Sequence, residues 1–160
     1  MSEPKNSKTR RALGISSVPW VFLADDSDDD TFFFERALTK AQMPFSFSRV
    51  ENGQLAVEAL RTALAGSPSA GFPDLIFLDL KMPMLTGFDV LEWVQAQALN
   101  PAPTVIVLSG SNDHADRRRA AALGASDYVV KPISAEDLKS RLEALQNAEN
   151  NSLAGRESQF

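Results

Sequence analysis

Asp79 closes an unbroken apolar run, Leu75-Ile76-Phe77-Leu78, and is followed by Leu80-Lys81-Met82-Pro83. Three other apolar runs also end in polar groups: Val21-Phe22-Leu23-Ala24 leads into Asp25-Asp26, Val105-Ile106-Val107-Leu108 into Ser109, and Tyr128-Val129-Val130 into Lys131-Pro132. One aspartate after an apolar run carries little weight, because aspartate also starts turns by bonding nearby backbone groups. The set carries more. A carboxylate able to act as nucleophile, a carboxylate pair able to hold a hard metal ion, a hydroxyl and an ammonium are the parts that phosphoryl transfer needs.

These groups can cooperate only if the runs that carry them lie side by side. Apolar residues at consecutive positions suit strands covered on both faces, as in a parallel sheet with helices on either side. Between the runs lie helical patterns. Ser27 or Asp28 can cap a helix with an acidic first turn, favourable beside the positive end of the helix dipole. Phe33, Phe34, Ala37, Leu38 and Ala41 supply its apolar face, with Phe32 at the margin. Asp28, Asp29 and Asp30 are read as structural residues of that first turn. Phe45, Phe47 and Arg49 alternate with Ser46, Ser48 and Val50 at the period of a strand, and Pro44 before them suits a sheet edge.

Asn52-Gly53 turns into a helix carrying Ala56, Val57, Leu60 and Leu64, which stops before the loop that begins at Gly66. Phe88, Leu91, Val94 and Ala98 recur at helical spacing after Asp79, and Asn100-Pro101-Ala102-Pro103 ends that pattern. Asn112 or Asp113 can cap a fourth helix that runs to Gly124, a residue suited to the left-handed position past a helix end. Ser134 with Asp137 resembles a capping box for the last helix, whose inward face is Leu138, Leu142 and Leu145. This alternation predicts an α/β doubly wound, flavodoxin-like three-layer sandwich with five parallel strands in the order 2-1-3-4-5. In such sheets the site lies beyond the carboxyl ends of the strands.

Over residues 18–148 the chain resembles the CheY-like receiver domains of two-component response regulators. The resemblance rests on the acidic pair Asp25-Asp26, on Leu78-Asp79-Leu80-Lys81-Met82-Pro83 with Gly87 after it, on Ser109-Gly110, and on Gly124-Ala125-Ser126-Asp127-Tyr128-Val129-Val130-Lys131-Pro132. The aspartate-rich stretch and Glu35-Arg36-Ala37-Leu38 are most similar to the single-domain regulators that partner phytochrome-type histidine kinases. The resemblance implies a phosphoacceptor signalling domain rather than a turnover enzyme, with Asp79 taking the phosphoryl group from the phosphohistidine of a sensor histidine kinase. It further implies a cis peptide at Lys131-Pro132.

Charge adds its own requirement. Carboxylate and phosphoryl group are both anionic, so their repulsion must be offset; magnesium held by Asp26, Asp79, a backbone carbonyl at Lys81 and water does this, with Asp25 as a further ligand or just behind the ligands. Lys131 supplies a mobile positive charge to one phosphate oxygen and Ser109 a hydrogen bond to another. Output follows from a change of binding surface. Ser109 moves toward the phosphate and the Tyr128 ring fills the space vacated, altering the surface that contacts a downstream protein or a second copy in a homodimer.

Composition narrows the alternatives. The 160 residues fit one domain, residues 18–148, flanked by flexible tails expected at 1–17 and 149–160, with any output domain expected to be missing or on another protein. Net charge is −5, from 16 basic and 21 acidic residues, which gives no general attraction to nucleic acid or anionic membranes, so direct DNA binding is not expected. The run Arg117-Arg118-Arg119 forms no single stripe, since consecutive helical residues point about 100° apart, and it reads as a solvated face. His114 has no partner at metal-ligand spacing, and the chain has no cysteine. No apolar stretch approaches a membrane span, and a soluble cytoplasmic protein is expected.

A calcium loop beginning at Asp25 or Asp26 fails, because Asp30 or Thr31 stands where glycine is needed and Arg36 or Ala37 where the closing glutamate is needed. A haloacid-dehalogenase-type phosphatase needs a second acid two residues after the nucleophile, where Lys81 stands. A flavodoxin-like nucleotide or flavin binder would bring its phosphate against the acidic run that begins at Asp25. A receiver-like domain that binds partners without phosphorylation is the mildest alternative, and the full acceptor set weighs against it.

Overall fold

The middle strand, β3 (Leu75–Asp79), is buried at every position, as its uninterrupted apolar run requires. It pairs in parallel with β1 (Trp20–Ala24) on one side and β4 (Thr104–Ser109) on the other. Outside these, β2 (Ser46–Val50) lies against β1 and β5 (Asp127–Val130) against β4, completing the order β2-β1-β3-β4-β5. These elements belong to a computed structural model that describes residues 18–66 and 71–157. The expectations for residues 1–17 and 158–160 lie outside the described residues.

Successive side chains of a strand point to opposite faces, and the core divides accordingly. Phe22, Ile76, Leu78 and Val107 face α2 (Gly53–Ala65), α3 (Gly87–Ala96) and α4 (His114–Ala122), where Leu60, Leu91 and Ala120 close the layer. Leu23, Phe77 and Ile106 face α1 (Asp28–Lys40) and α5 (Ala135–Glu157), packing on Leu38, Leu138 and Leu142. Each fully buried side chain of this size contributes about 1.5–3 kcal/mol. The sheet is therefore held firmly from both sides, and its carboxyl edge is a stable platform.

Caps set where the helices begin. Ser27 Oγ accepts from the Asp30 N–H at 3.1 Å, Asn52 Oδ1 from Leu55 at 2.8 Å, and Ser134 Oγ from Asp137 at 3.0 Å. Of the two candidates for α4, Asp113 is the cap. Thr86 and Asp89 form a reciprocal capping box that starts α3 just after the Asp79 loop. Gly124 has φ +92°, the left-handed conformation expected past α4.

Four details differ from the sequence reading. Phe33 does not join the apolar face of α1; it is 56% exposed beside the exposed Phe32, because Phe34, Ala37, Leu38 and Ala41 already fill the inward face. Ala98 lies past the end of α3 with φ +48° and is exposed, so it cannot continue the helical face. The last helix continues to Glu157 instead of stopping at Ala148; the added segment contains no proline to end it. Arg117 and Arg119 are not simply solvated: their guanidinium groups lie 4.6 Å and 4.1 Å from the ring centroids of Tyr128 and Phe88.

Candidate functional site

Asp79 ends β3 and Asp25 and Asp26 follow β1, so parallel pairing of the two strands brings all three carboxylates to one edge. One ligand oxygen from each lies within 4.8 Å of the others. Asp25 is almost fully buried and held on both sides: its Oδ1 accepts from the Ser27 N–H at 2.9 Å and its Oδ2 from the Lys131 ammonium at 2.8 Å. Asp26, by contrast, is exposed. A converging set of hard oxygen donors with one exposed member fits magnesium, which binds through one or two carboxylates and retains water.

Burial pushes the Asp79 carboxyl up to about 6; Lys131 opposes the shift, and the charges of Asp25 and Asp26 add to it. At pH 7 the Asp79 carboxyl is therefore still mostly ionised, but its charge is held at a cost that added positive charge would relieve. The Lys81 N–H faces Asp79 Oδ1 at 3.5 Å, which sets the Lys81 main chain beside the carboxylates while its side chain points to solvent.

Lys131 follows β5, and its main-chain N–H donates to the Ser109 carbonyl at 2.8 Å. Its ammonium sits 2.8 Å from Asp25 Oδ2, 2.8 Å from Asp30 Oδ2 and 3.5 Å from Asp79 Oδ1. Burial alone would lower the pKa of Lys131, but the hydrogen bonds to Asp25 and Asp30 and the charges of Asp79 and Asp25 hold it above the ordinary lysine value. The Lys131-Pro132 peptide is cis. Beside these residues, between α1 and the start of α5, opens a pocket of about 320 Å³ lined by Asp30, Phe33, Pro132 and Ile133.

Ser109 is the last residue of β4, one place beyond Leu108, which pairs with Asp79. It is buried, and its Oγ accepts from the Ser111 N–H at 3.2 Å. Tyr128 lies inward, only 8% exposed, and its hydroxyl donates to the Ser111 carbonyl at 2.7 Å. The sequence reading has this ring move in only after phosphorylation, whereas here it is already packed. The Ser111 carbonyl satisfies the hydroxyl and Arg117 covers the ring, so the inward position leaves no polar group unmet.

Sequence reasoning missed Asp30, which it placed among the structural aspartates. The legible signal was its place: Asp30 is the third helical residue after the cap Ser27, on the first turn of α1 beside the end of β1. Asp28 is indeed peripheral, pairing with Arg49 at 2.9 Å at an exposed position. His114 opens α4 as an exposed residue.

The family model for the response regulator receiver domain matches residues 21–143. The chain belongs to that family. Receiver domains accept a phosphoryl group in two-component signalling. This receiver is 37% identical over 132 residues to the transcriptional regulatory protein PrrA of Mycobacterium leprae, covering 82% of this chain and 51% of that one. It is similar in structure to the signal receiver domain of a LuxO repressor protein from Vibrio parahaemolyticus, with TM-score 0.69 and 27% identity over 86% of this chain and 98% of the other.

The bacteriophytochrome response regulator RtBRR gives TM-score 0.67 and 26% identity over 78% of this chain and 75% of the other. Curated relatives differ widely in length. The receiver spans 26% of a Vibrio cholerae probable cyclic di-GMP phosphodiesterase and 80% of a Methanothrix harundinacea regulatory protein. Among the described residues no helix is long and apolar enough to cross a membrane.

Proposed function

We propose that this receiver works as a response regulator with Asp79 as phosphoacceptor and a magnesium site made by Asp26, Asp79 and the Lys81 carbonyl, Asp25 serving as ligand or as support behind it. The observation that carries this reading is the convergence of the Asp25, Asp26 and Asp79 carboxylates beside the Lys131 ammonium. Bound there, magnesium supplies positive charge that offsets repulsion between the acceptor and the incoming phosphoryl group.

An Asp79 carboxylate oxygen attacks phosphorus, and the bond from phosphorus to the donor nitrogen breaks with its electron pair left on the donor histidine. Lys131 takes one phosphate oxygen and the Ser109 hydroxyl donates to another, so charge that develops on the phosphoryl group meets hydrogen-bond donors. The donor is a sensor histidine kinase. Similarity to bacteriophytochrome regulators supports a phytochrome-type partner.

Output runs through Ser109 and Tyr128 to the surface of α4, β5 and α5, where a downstream protein or a second copy of the chain binds. The acidic net charge supports protein partners over DNA, and the same reading places the protein in the cytoplasm. The test is intact mass after incubation with a small phosphodonor and magnesium. The wild type should gain one phosphoryl group and Asp79→Asn none; equal gain by both would reject Asp79 as acceptor.

A further inference from the structure

Lys131 is engaged before any phosphate arrives. Its ammonium is 2.8 Å from Asp30 Oδ2, nearer than the 3.5 Å that separates it from Asp79 Oδ1. Asp30 can do this because the start of α1 does not need its carboxylate. It occupies the third helical position, from which an acidic side chain often reaches back to the N–H of the capping residue. Here that N–H, on Ser27, is taken by Asp25 Oδ1 at 2.9 Å, and Asp30 gives only its own N–H to the Ser27 hydroxyl. Its carboxylate is left to face Lys131.

We propose that Asp30 is a positioning residue that tethers Lys131 in the resting state and competes with the phosphoryl group on Asp79 for its ammonium. The inference rests on the reading of Asp79 as acceptor. Asp25 is buried and held at both oxygens, so it anchors the lysine in either state; Asp30 is half-exposed at a helix start, and water can replace the ammonium there at small cost. The Asp30 contact is therefore the one to break when Lys131 shifts toward phosphate. Its strength sets how readily the lysine is released.

Two measurements on the full chain decide it. In the first, without metal or phosphodonor, nitrogen-15 resonance spectra follow proton exchange at the Lys131 ammonium; Asp30→Asn should speed exchange about three- to fivefold, as loss of a part-exposed ion pair permits, and Asp30→Glu should restore much of the protection. Asp29→Asn removes the same charge from an exposed neighbour and should leave exchange unchanged.

In the second, the affinity for beryllium trifluoride with magnesium should rise about three- to fivefold in Asp30→Asn, and this gain should vanish when Lys131 is also replaced by Met. Unchanged exchange in Asp30→Asn, or an equal gain in Asp29→Asn, or a gain that survives Lys131→Met, would overturn the tether. If the wild type binds no beryllium trifluoride, the acceptor reading fails and the competition with it, while the exchange measurement still judges the resting contact.

Discussion

Gly87 packs directly against the main chain of Asp79: a Cβ on it would collide with the Asp79 carbonyl oxygen and lie 3.0 Å from Leu80 Cα. The Gly87 N–H donates to the Leu80 carbonyl at 3.2 Å, so the start of α3 is fitted onto the loop that follows Asp79. Gly87→Ala should destabilise the fold by about 1–3 kcal/mol through overpacking and slow labelling of Asp79, because rigid backbone has to move. Gly110→Ala, where an added Cβ meets nothing within 4 Å, should stay within about 0.5 kcal/mol of wild type. Denaturant unfolding and intact-mass labelling of both variants check this pair.

Asp79 carries a pH signature. Its folded-state pKa is raised to about 6 from 3.8, first by burial. The favourable neutral form is complete below the unfolded pKa, and its contribution is lost as pH rises through about 6. Without metal, Asp79→Asn should therefore be more stable than wild type at pH 7, by on the order of 1–3 kcal/mol. The difference should shrink toward pH 4. Thermal melts across that range test it, and a variant no more stable at pH 7 than at pH 4, relative to wild type, refutes it. Magnesium at pH 7 should stabilise the wild type more than the variant.

Asp26 and Asp28 separate the metal site from the rest of the acidic run. Asp26 converges with Asp25 and Asp79, whereas Asp28 pairs with Arg49. Asp26→Ala should weaken magnesium binding by about tenfold or more, and Asp28→Ala by less than about twofold, the scale of a screened surface charge. Calorimetric titration with magnesium gives both values. Equal losses would mean that the aspartates act as a diffuse field.

Ser109 and Tyr128 meet at Ser111, whose N–H donates to the serine hydroxyl and whose carbonyl accepts from the tyrosine. On the proposed reading, a pull on Ser109 by phosphate would be passed through Ser111 to the loop that holds the Tyr128 hydroxyl. Ser109→Ala and Tyr128→Ala should still accept phosphate on Asp79 but lose most of the phosphorylation-dependent change in self-association, followed by sedimentation velocity. Retention of the full wild-type change by both variants excludes this route.

The apolar runs and their polar ends determined the sheet. A strand buried on both faces has to be apolar throughout, so β3 was legible residue by residue, and the order of Asp25-Asp26, Asp79, Ser109 and Lys131 along the chain already implied one shared edge. Helix starts were legible where a side chain caps its own backbone, as at Ser134 and at Ser27, one of two candidates for α1, because those contacts span only three residues. Tertiary structure decided what depends on direction in space.

Phe33 and Phe34 are adjacent and chemically identical, yet only Phe34 fits between α1 and the sheet. Asp28 and Asp30 stand in one acidic run, yet Arg49 from β2 meets the first and Lys131 from beyond β5 meets the second. No local pattern encodes which carboxylate a lysine more than a hundred positions away will reach. That choice is made only when β1, β3, β4 and β5 align and bring their ends within hydrogen-bonding range.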